Sequence, residues 1–170
     1  MRPEMDEEFA QFVRSTQHQL LRAAYLVCGD IHLAEDLLQQ AFLKVALRWE
    51  SLRSGAPGAY VRRILYRDAV STWRRTRREQ LDGGPFELFA DTETTAAIDQ
   101  RLDIETALLQ LTPRQRAVIV LRFFEDRSER EAAEALGVSV GTVKSQTHDT
   151  LARLRTLMPE FADSLNGWES

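Results

Sequence analysis

Apolar residues recur every three or four positions through most of this chain, which is the spacing of an amphipathic α-helix. No segment sustains the alternation of apolar and polar residues that is typical of a β-strand. Gly29 is placed to end the first helix, Asp30 is a suitable N-cap for the second, and Pro57 fits the first turn of a third. The second helix has one apolar face, which consists of Ala34, Leu37, Leu38, Ala41, Phe42, Val45 and Trp49. The pattern therefore predicts an all-α fold.

The helical pattern is interrupted between residues 81 and 103. Gly83-Gly84-Pro85 breaks a helix, and the segment carries six acidic residues against one basic residue. We interpret it as an acidic linker that joins two small helical domains. The domain before it covers residues 1–80, the domain after it covers residues 104–158, and residues 159–170 form a C-terminal tail.

The stretch EREAAEALGVSVGTVKSQTHDTLARLR, residues 129–155, has the pattern of a helix-turn-helix. Its first helix offers small alanines for close packing, Gly137 can adopt the positive φ that ends a helix sharply, and Ser139 can cap the next helix. The polar side chains that face outward, as DNA-reading side chains must, are Thr142, Lys144, Ser145 and His148. A helical hairpin with a solvated face is the plainer alternative. The small alanines, the glycine and the capping serine stand at the spacing of a helix-turn-helix, which favours DNA binding.

Charge is unevenly distributed along the chain. The net charge is −4, yet residues 1–80 carry 13 basic and 10 acidic side chains. Residues 62–79 alone hold seven arginines against Asp68 and Glu79. Clustered arginine suits a polyanion partner such as nucleic acid, and a basic face that merely meets solvent is the alternative.

The composition limits the class of protein. Apolar residues make up 44% of the chain, enough for a sizeable core, and the single cysteine Cys28 excludes an internal disulfide. The longest apolar run, residues 23–28, is too short to cross a membrane, and the acidic N-terminus lacks an apolar signal core. We therefore expect a cytoplasmic protein without membrane insertion. Gly-rich phosphate loops, His-Glu-x-x-His and cysteine clusters are missing from the sequence, so we expect neither an enzyme nor a bound cofactor or metal.

The C-terminal helices resemble a known family. Residues 111–155 look like the promoter-reading domain of extracytoplasmic-function (ECF) sigma factors of the sigma-70 family. The matching positions are Leu111-Thr112-Pro113, Arg116, Glu125-Asp126, Ala133, Leu136-Gly137, Ser139 and Gly141-Thr142-Val143-Lys144-Ser145. By this resemblance, the residues that contact the −35 promoter element are Ser139, Thr142, Lys144, Ser145, Gln146, His148 and Asp149.

The sequence departs from the family pattern on this face. Gln146 and Asp149 stand where the family commonly has arginine, and Thr147 stands at a core leucine position. Each lost arginine removes a contact to phosphate or guanine, whereas glutamine pairs with adenine and a carboxylate accepts from a cytosine amino group. We therefore expect weaker binding to the −35 element, or a site shifted toward A and C.

The N-terminal half resembles the same family. Residues 34–49 are similar to the helix that docks on the clamp helices of RNA polymerase, and its D-x-x-Q-x-x-F positions are Asp36, Gln39 and Phe42. From residue type alone, Phe42 is a core residue and Asp36 a solvated charge. Residues 57–80 resemble the helix that reads and melts the −10 element, a task that needs arginine for phosphates and aromatic rings for bases. The resemblance assigns these contacts to Arg62, Arg63, Tyr66, Arg67, Trp73, Arg74, Arg75, Arg77 and Arg78.

The resemblance as a whole implies an RNA polymerase sigma factor. The stretches YVRRIL and WRRTRRE most resemble those of a SigE-like actinobacterial subgroup. It implies core RNA polymerase and promoter DNA as partners, and an anti-sigma factor as a further candidate. The acidic linker would then thread the basic channel that RNA later occupies. The rival interpretation is a stand-alone helix-turn-helix regulator with an N-terminal partner-binding domain, which leaves the arginine cluster and the D-x-x-Q-x-x-F positions without a role.

Overall fold

The computed structural model describes residues 3–79 and 103–163, without the side chains of residues 3, 73–79 and 161. Within these residues the backbone forms helices and turns only, which confirms the all-α prediction. The helices, in chain order, are α1 (Pro3–Cys28), α2 (Ile31–Ala46), α3 (Trp49–Leu52), α4 (Pro57–Glu79), α5 (103–109), α6 (Pro113–Ile119), α7 (Glu129–Leu136) and α8 (Val140–Leu157). The predicted linker, up to residue 102, and the tail from residue 164 lie outside the described residues.

The N-terminal helices begin and end where the local chemistry predicts. Gly29 has a φ of 75° and its N–H donates to the Tyr25 carbonyl at 2.7 Å, which ends α1. Asp30 caps α2 by accepting from the Leu33 N–H at 3.0 Å. Pro57 is the first residue of α4. Helices α1, α2 and α4 then pack against one another around a buried core.

The second helix is shorter than its apolar stripe suggests. It ends at Ala46, and Trp49 begins the separate short helix α3. The break places the indole against α1, where its ring centroid lies 5.2 Å from that of Phe9 and 5.4 Å from that of Phe12. These aromatic contacts keep Trp49 buried although it lies beyond α2. The prediction of one helix through Trp49 is therefore wrong at its C-terminal end.

The C-terminal helices are bounded by caps. Thr112 and Ser128 each form a capping box with the Gln or Glu three residues later, at the starts of α6 and α7. Gly137 adopts a φ of 66° and ends α7. Ser139 then accepts from the Thr142 N–H at 3.1 Å and begins α8. The pair α7 and α8 is the predicted helix-turn-helix, with its glycine and its cap in the predicted positions.

Helix α6 continues into a π-helical turn, Val120–Phe124, in which the Glu125 N–H donates to the Val120 carbonyl at 2.9 Å. Such a turn holds one residue more than a regular α-helical turn. Asp126 follows with a φ of 53°, a left-handed conformation that aspartate adopts more readily than most residues. These two features set the direction in which the Glu125 side chain leaves the backbone.

The two helical units pack against each other. Helix α4 contacts α6 and α7, and α1 contacts α6. One buried apolar cluster contains residues of both units, among them Leu20, Val61, Leu65 and Ala69 from the first and Val118, Leu121, Ala132 and Val143 from the second. A second cluster surrounds Leu151 and Leu154 of α8. The units therefore share buried surface in addition to their own cores.

Candidate nucleic-acid interface

The polar side of α8 is open to solvent. The opposite side of the helix is buried and consists of Val143, Thr150, Leu151 and Leu154. On the outer side, the exposed residues are Ser139, Lys144, Ser145, His148 and Asp149, and the half-buried ones are Thr142 and Gln146. The side chains that the sequence assigns to the −35 element are therefore brought together along one helix and its cap.

Local hydrogen bonds order the first turns of α8. The Ser139 and Thr142 hydroxyls lie 2.9 Å apart, and the Ser145 hydroxyl donates to the Thr142 carbonyl at 3.1 Å. Lys144 Nζ lies 3.7 Å from a Glu129 carboxylate oxygen, in an exposed pair that is weak in water. The N-terminus of α8 and this ammonium group can therefore both receive a phosphate.

Two departures from the family pattern have different local outcomes. The Thr147 hydroxyl donates to the Val143 carbonyl at 2.7 Å, so its polar group is satisfied inside the helix. The Gln146 Oε1 is buried without a hydrogen-bond partner. This oxygen is therefore turned away from solvent, and the amide has to rotate before its oxygen can meet an external donor.

The arginine-rich side of α4 meets the C-terminal unit. The Glu125 side chain is 0% exposed; its Oε1 accepts from Arg62 Nε at 2.9 Å and its Oε2 accepts from the Tyr66 hydroxyl at 2.8 Å. Arg62 Nη1 also donates to the Gly58 carbonyl at 3.1 Å. Burial, and then the charge and the hydrogen bond of Glu125, raise the pKa of Tyr66 above its usual range. Tyr66 therefore remains a neutral donor.

The neighbouring arginines also lie against the helix-turn-helix. Arg63 Nη2 is 3.6 Å from Glu134 Oε1. The Arg67 guanidinium lies so close to Gly137 that a Cβ there would be 3.0 Å from the Arg67 Cζ. Four predicted −10 residues therefore contact the second unit, namely Arg62, Arg63, Tyr66 and Arg67, and Tyr66 is closed to a base in this arrangement. The side chains of Trp73, Arg74, Arg75, Arg77 and Arg78 lie outside the described residues.

Two of the three predicted polymerase-binding residues line one groove. Gln39 is exposed, and Phe42 is half-buried with its ring centroid 6.2 Å from that of Phe12 in a T-shaped contact. Both border an open groove of about 460 Å³ between α1 and α2. The rest of its apolar wall includes Phe9, Val13, Leu21, Leu38 and Leu43. Asp36 is exposed on α2 but does not line the groove.

Sequence reasoning missed Leu43, Leu47 and the partners of Glu125. Leu43 and Leu47 are 60% and 87% exposed on α2 and its C-cap, and large apolar residues outside the buried stripe are the signal that finds them. Glu125 was matched only as part of a turn motif. Its two partners lie 63 and 59 residues away in the chain, so no local pattern reveals them.

The described part of the chain also contains histidine, cysteine and acidic residues outside these surfaces. Its His, Cys, Asp and Glu residues form no group of three or more that could hold a metal ion. None of the helices in residues 3–79 and 103–163 is both long and apolar enough to traverse a bilayer. Burial raises the pKa of the Cys28 thiol to about 11, so this cysteine is a poor nucleophile at neutral pH.

Family comparison matches both helical units. Residues 12–79 match Sigma-70 region 2, and residues 101–154 match Sigma-70, region 4. The RNA polymerase sigma-E factor of Streptomyces coelicolor is 39% identical over 152 residues, which cover 87% of this chain and 84% of that protein. The ECF RNA polymerase sigma factor SigE of Mycolicibacterium smegmatis is 32% identical over 165 residues, with 89% of this chain and 62% of that protein covered.

Solved structures share the arrangement of helices. The sigma factor RpoE of Bartonella quintana, in complex with the anti-sigma factor NepR, matches with a TM-score of 0.71 and 27% identity, over 90% of this chain and 98% of that one. CnrH, in complex with the cytosolic domain of CnrY, matches in fold with a TM-score of 0.61 and 24% identity, over 89% of this chain and 88% of that one.

Proposed function

The chain belongs to the sigma-70 family of RNA polymerase sigma factors, and from that premise we propose that it directs core RNA polymerase to specific promoters and assists in melting their DNA. The observation that carries the proposal is the presence in one chain of a region 2 match and a region 4 match. The chain itself catalyses no covalent step in this proposal, because the polymerase makes the RNA. Its place of action is the bacterial cytoplasm, where the chromosome and the polymerase are.

Helix α8 enters the major groove of the −35 element in this mechanism. Its N-terminal N–H groups and Lys144 neutralise phosphates. His148 and Asp149 face base edges, and Gln146 joins them once its amide has rotated outward. The exposed polar side of α8 and the weak pairing of Lys144 with Glu129 support this role. The remaining contacts come from the hydroxyls of Ser139, Thr142 and Ser145.

Helix α4 engages the −10 element and holds the separated strand. Its guanidinium groups bind phosphates, and the rings of Tyr66 and Trp73 accept unstacked bases. Because Arg62 and Tyr66 contact Glu125 in the described arrangement, α4 has to separate from Glu125 before these two side chains bind DNA. Core polymerase, which holds the two units over separate promoter elements, provides that separation.

Helix α2 docks on the polymerase through the groove that it forms with α1. An apolar groove beside exposed leucines is a common kind of protein-binding surface. Gln39, Phe42 and Leu43 line this groove, and Leu47 is a further exposed apolar residue at the C-cap of α2. Asp36 adds an exposed carboxylate on the same helix.

The domain limits of the proposal are 1–80 and 104–158, with residues 81–103 as an acidic linker and 159–170 as a tail. We place the linker in the basic RNA channel of the polymerase. Neutralisation of its carboxylates is expected to weaken holoenzyme assembly or to alter the release of abortive RNA, and the residues to change are Asp82, Glu87, Asp91, Glu93 and Asp99. Unchanged assembly and release would remove the linker from the mechanism. An anti-sigma factor is a further partner in the proposal, supported by the similarity to RpoE in its complex with NepR.

Run-off transcription with purified core polymerase on a promoter library tests the function. We expect specific transcripts that require both the chain and the core enzyme. Gel-shift assays on the same DNA, with and without core polymerase, distinguish a stand-alone regulator. Tight sequence-specific binding by the chain alone, together with no transcript from any template, would replace the sigma-factor function with that alternative.

A further inference from the structure

We propose that Glu125 and α7 act as an internal competitor for the −10 strand, with Glu125 as the latch that holds α4 in a closed state. The inference rests on the proposed function, because it concerns the α4 arginines that would engage the −10 element. In the closed state, carboxylates of the C-terminal unit take the places of DNA phosphates on α4.

The Glu125 carboxylate presents two anionic oxygens to two donors of α4. Its Oε1 lies 2.9 Å from Arg62 Nε, and its Oε2 lies 2.8 Å from the Tyr66 hydroxyl. A phosphodiester also presents two unesterified anionic oxygens, and a guanidinium binds carboxylate and phosphate with the same donors. Glu125 therefore occupies these donors in the way that a backbone phosphate would.

Two further contacts extend the competition along α4. The Glu134 carboxylate lies 3.6 Å from Arg63 Nη2, and the Arg67 guanidinium lies against Gly137. The buried side chains of α7 are all small, namely Ala132, Ala133 and Ala135. Small residues let two helices approach closely, so α7 reaches Arg63 and Arg67 at the solvent-exposed edge of the contact, while Arg62 is buried against Glu125.

The burial of the Glu125–Arg62 pair limits how much this pair stabilises the closed state. The side chains of Glu125 and Arg62 are 0% and 11% exposed, so the loss of their hydration offsets much of their attraction. In an open chain both groups regain water. The pair therefore adds only moderately to the stability that the shared apolar cluster gives the closed state, and a ligand that binds the open state alone shifts the equilibrium toward it.

Closure affects the two DNA-binding surfaces unequally. The polar side of α8 stays exposed, whereas Arg62 and Tyr66 are covered. The association constant of the free chain for a −10 strand is then the intrinsic constant multiplied by the fraction of molecules that are open. The affinity of the free chain for −35 duplex DNA is not reduced in this way, because α8 is exposed in the closed state. The free chain is thus kept from single strands until the polymerase separates its units.

The substitution Glu125→Gln tests the latch in the full chain, because glutamine keeps the shape of the side chain and loses the charge that faces Arg62. We expect fluorescence anisotropy to show tighter binding of a labelled single-stranded DNA oligonucleotide of mixed sequence, by at least about fivefold, which is the lower end of usual coupling between sites. We also expect a larger radius of gyration in small-angle X-ray scattering.

Matched variants control for charge and folding. Glu160→Gln removes the same charge at an exposed position after α8 and is expected to change neither measurement. Glu134→Gln changes a side chain that is 59% exposed, so the fold is preserved, and it is expected to tighten strand binding to a smaller extent. Circular dichroism reports the helix content of each variant. Strand binding that stays at the wild-type value in folded Glu125→Gln, or in Glu134→Gln should the first variant unfold, would overturn the inference.

Transcription separates the latch from the proposed function. If wild-type chain and core polymerase initiate transcription while the folded Glu125→Gln chain keeps wild-type strand binding and radius, the latch is wrong and the sigma-factor function stands. If no transcript forms but Glu125→Gln expands the chain and tightens strand binding, the closed state is right and the proposed function fails.

Discussion

The two candidate DNA-binding surfaces, the polar side of α8 and the arginine side of α4, are built in opposite ways. Helix α8 is held by its own unit, through the Ser139 cap and a buried side that includes Leu151, and it leaves its polar residues in water. Helix α4 instead places Arg62 and Tyr66 against Glu125 of the other unit. The first surface is complete whenever the C-terminal unit is folded. The second depends on how the two units are arranged.

The largest expected effect concerns the C-terminal end of α4. The double substitution Arg74→Ala with Arg75→Ala is expected to abolish open-complex formation, because it removes two guanidinium groups that hold the separated strand. Binding to core polymerase is expected to persist, since α2 is unchanged. Permanganate footprinting measures the unpaired thymines, and reactive thymines that remain in the double variant would remove α4 from the melting step.

A buried leucine tests the internal support of α8. Leu151 is 0% exposed, so Leu151→Ala is expected to lower the free energy of unfolding by about 2–5 kcal/mol. Binding to −35 duplex DNA should weaken with it, because α8 loses its support. Urea denaturation followed by circular dichroism measures the stability. Leu47→Ala is the control, since Leu47 is 87% exposed and its loss should change stability by less than about 0.5 kcal/mol.

Two adjacent arginines test the contrast within α4 itself. Arg62→Ala leaves the buried Glu125 carboxylate without its charged donor and is expected to destabilise the closed chain by about 1.5–3 kcal/mol. Arg63→Ala breaks a pair in which both side chains are exposed, 43% for Arg63 and 59% for Glu134, and is expected to cost about 0–1 kcal/mol. Thermal unfolding of the two variants compares them directly, and equal losses would show that burial of the pair does not matter.

The smallest expected effect lies on the outer side of α8. Asp149→Arg replaces repulsion from phosphate with attraction and is expected to tighten −35 duplex binding and to steepen the salt dependence of log K by about 0.9 for one added phosphate contact. Gel-shift titrations at several salt concentrations measure both quantities. Asp163→Arg makes the same charge change at an exposed position beyond α8 and serves as the control. Weaker binding by Asp149→Arg would mean that this side of α8 faces away from DNA.

Sequence patterns predicted the features of the fold that depend on neighbouring residues. Gly29, Asp30, Gly137 and Ser139 all perform the helix-ending or capping roles expected of them. Each role depends on hydrogen bonds within about four residues, so the local sequence contains the necessary information. The polar side of α8 was predictable for the same reason, because helical spacing alone separates its buried and exposed residues.

Features that depend on distant residues were not predictable in this way. The break before Trp49 depends on the phenylalanines of α1, about 40 positions earlier in the chain. The burial of Tyr66 depends on Glu125, which lies 59 residues away. A run of arginines indicates a polyanion, and a carboxylate of the same protein satisfies that chemistry as well as DNA does. The assignment of individual side chains to DNA or to polymerase stays a prediction.

Because of the π-helical turn Val120–Phe124, the deletion of a single residue would alter the contact between the units. Removal of one residue would convert this turn to regular α-helix and rotate the following backbone by about 100° around the helix axis. Glu125 would then face away from Arg62 and Tyr66, while the Ser128 capping box would still begin α7. An in-frame deletion of this size leaves both promoter-facing helices intact and removes the Glu125 contact, so it offers a short evolutionary route to a chain whose units are held together by their shared apolar cluster alone.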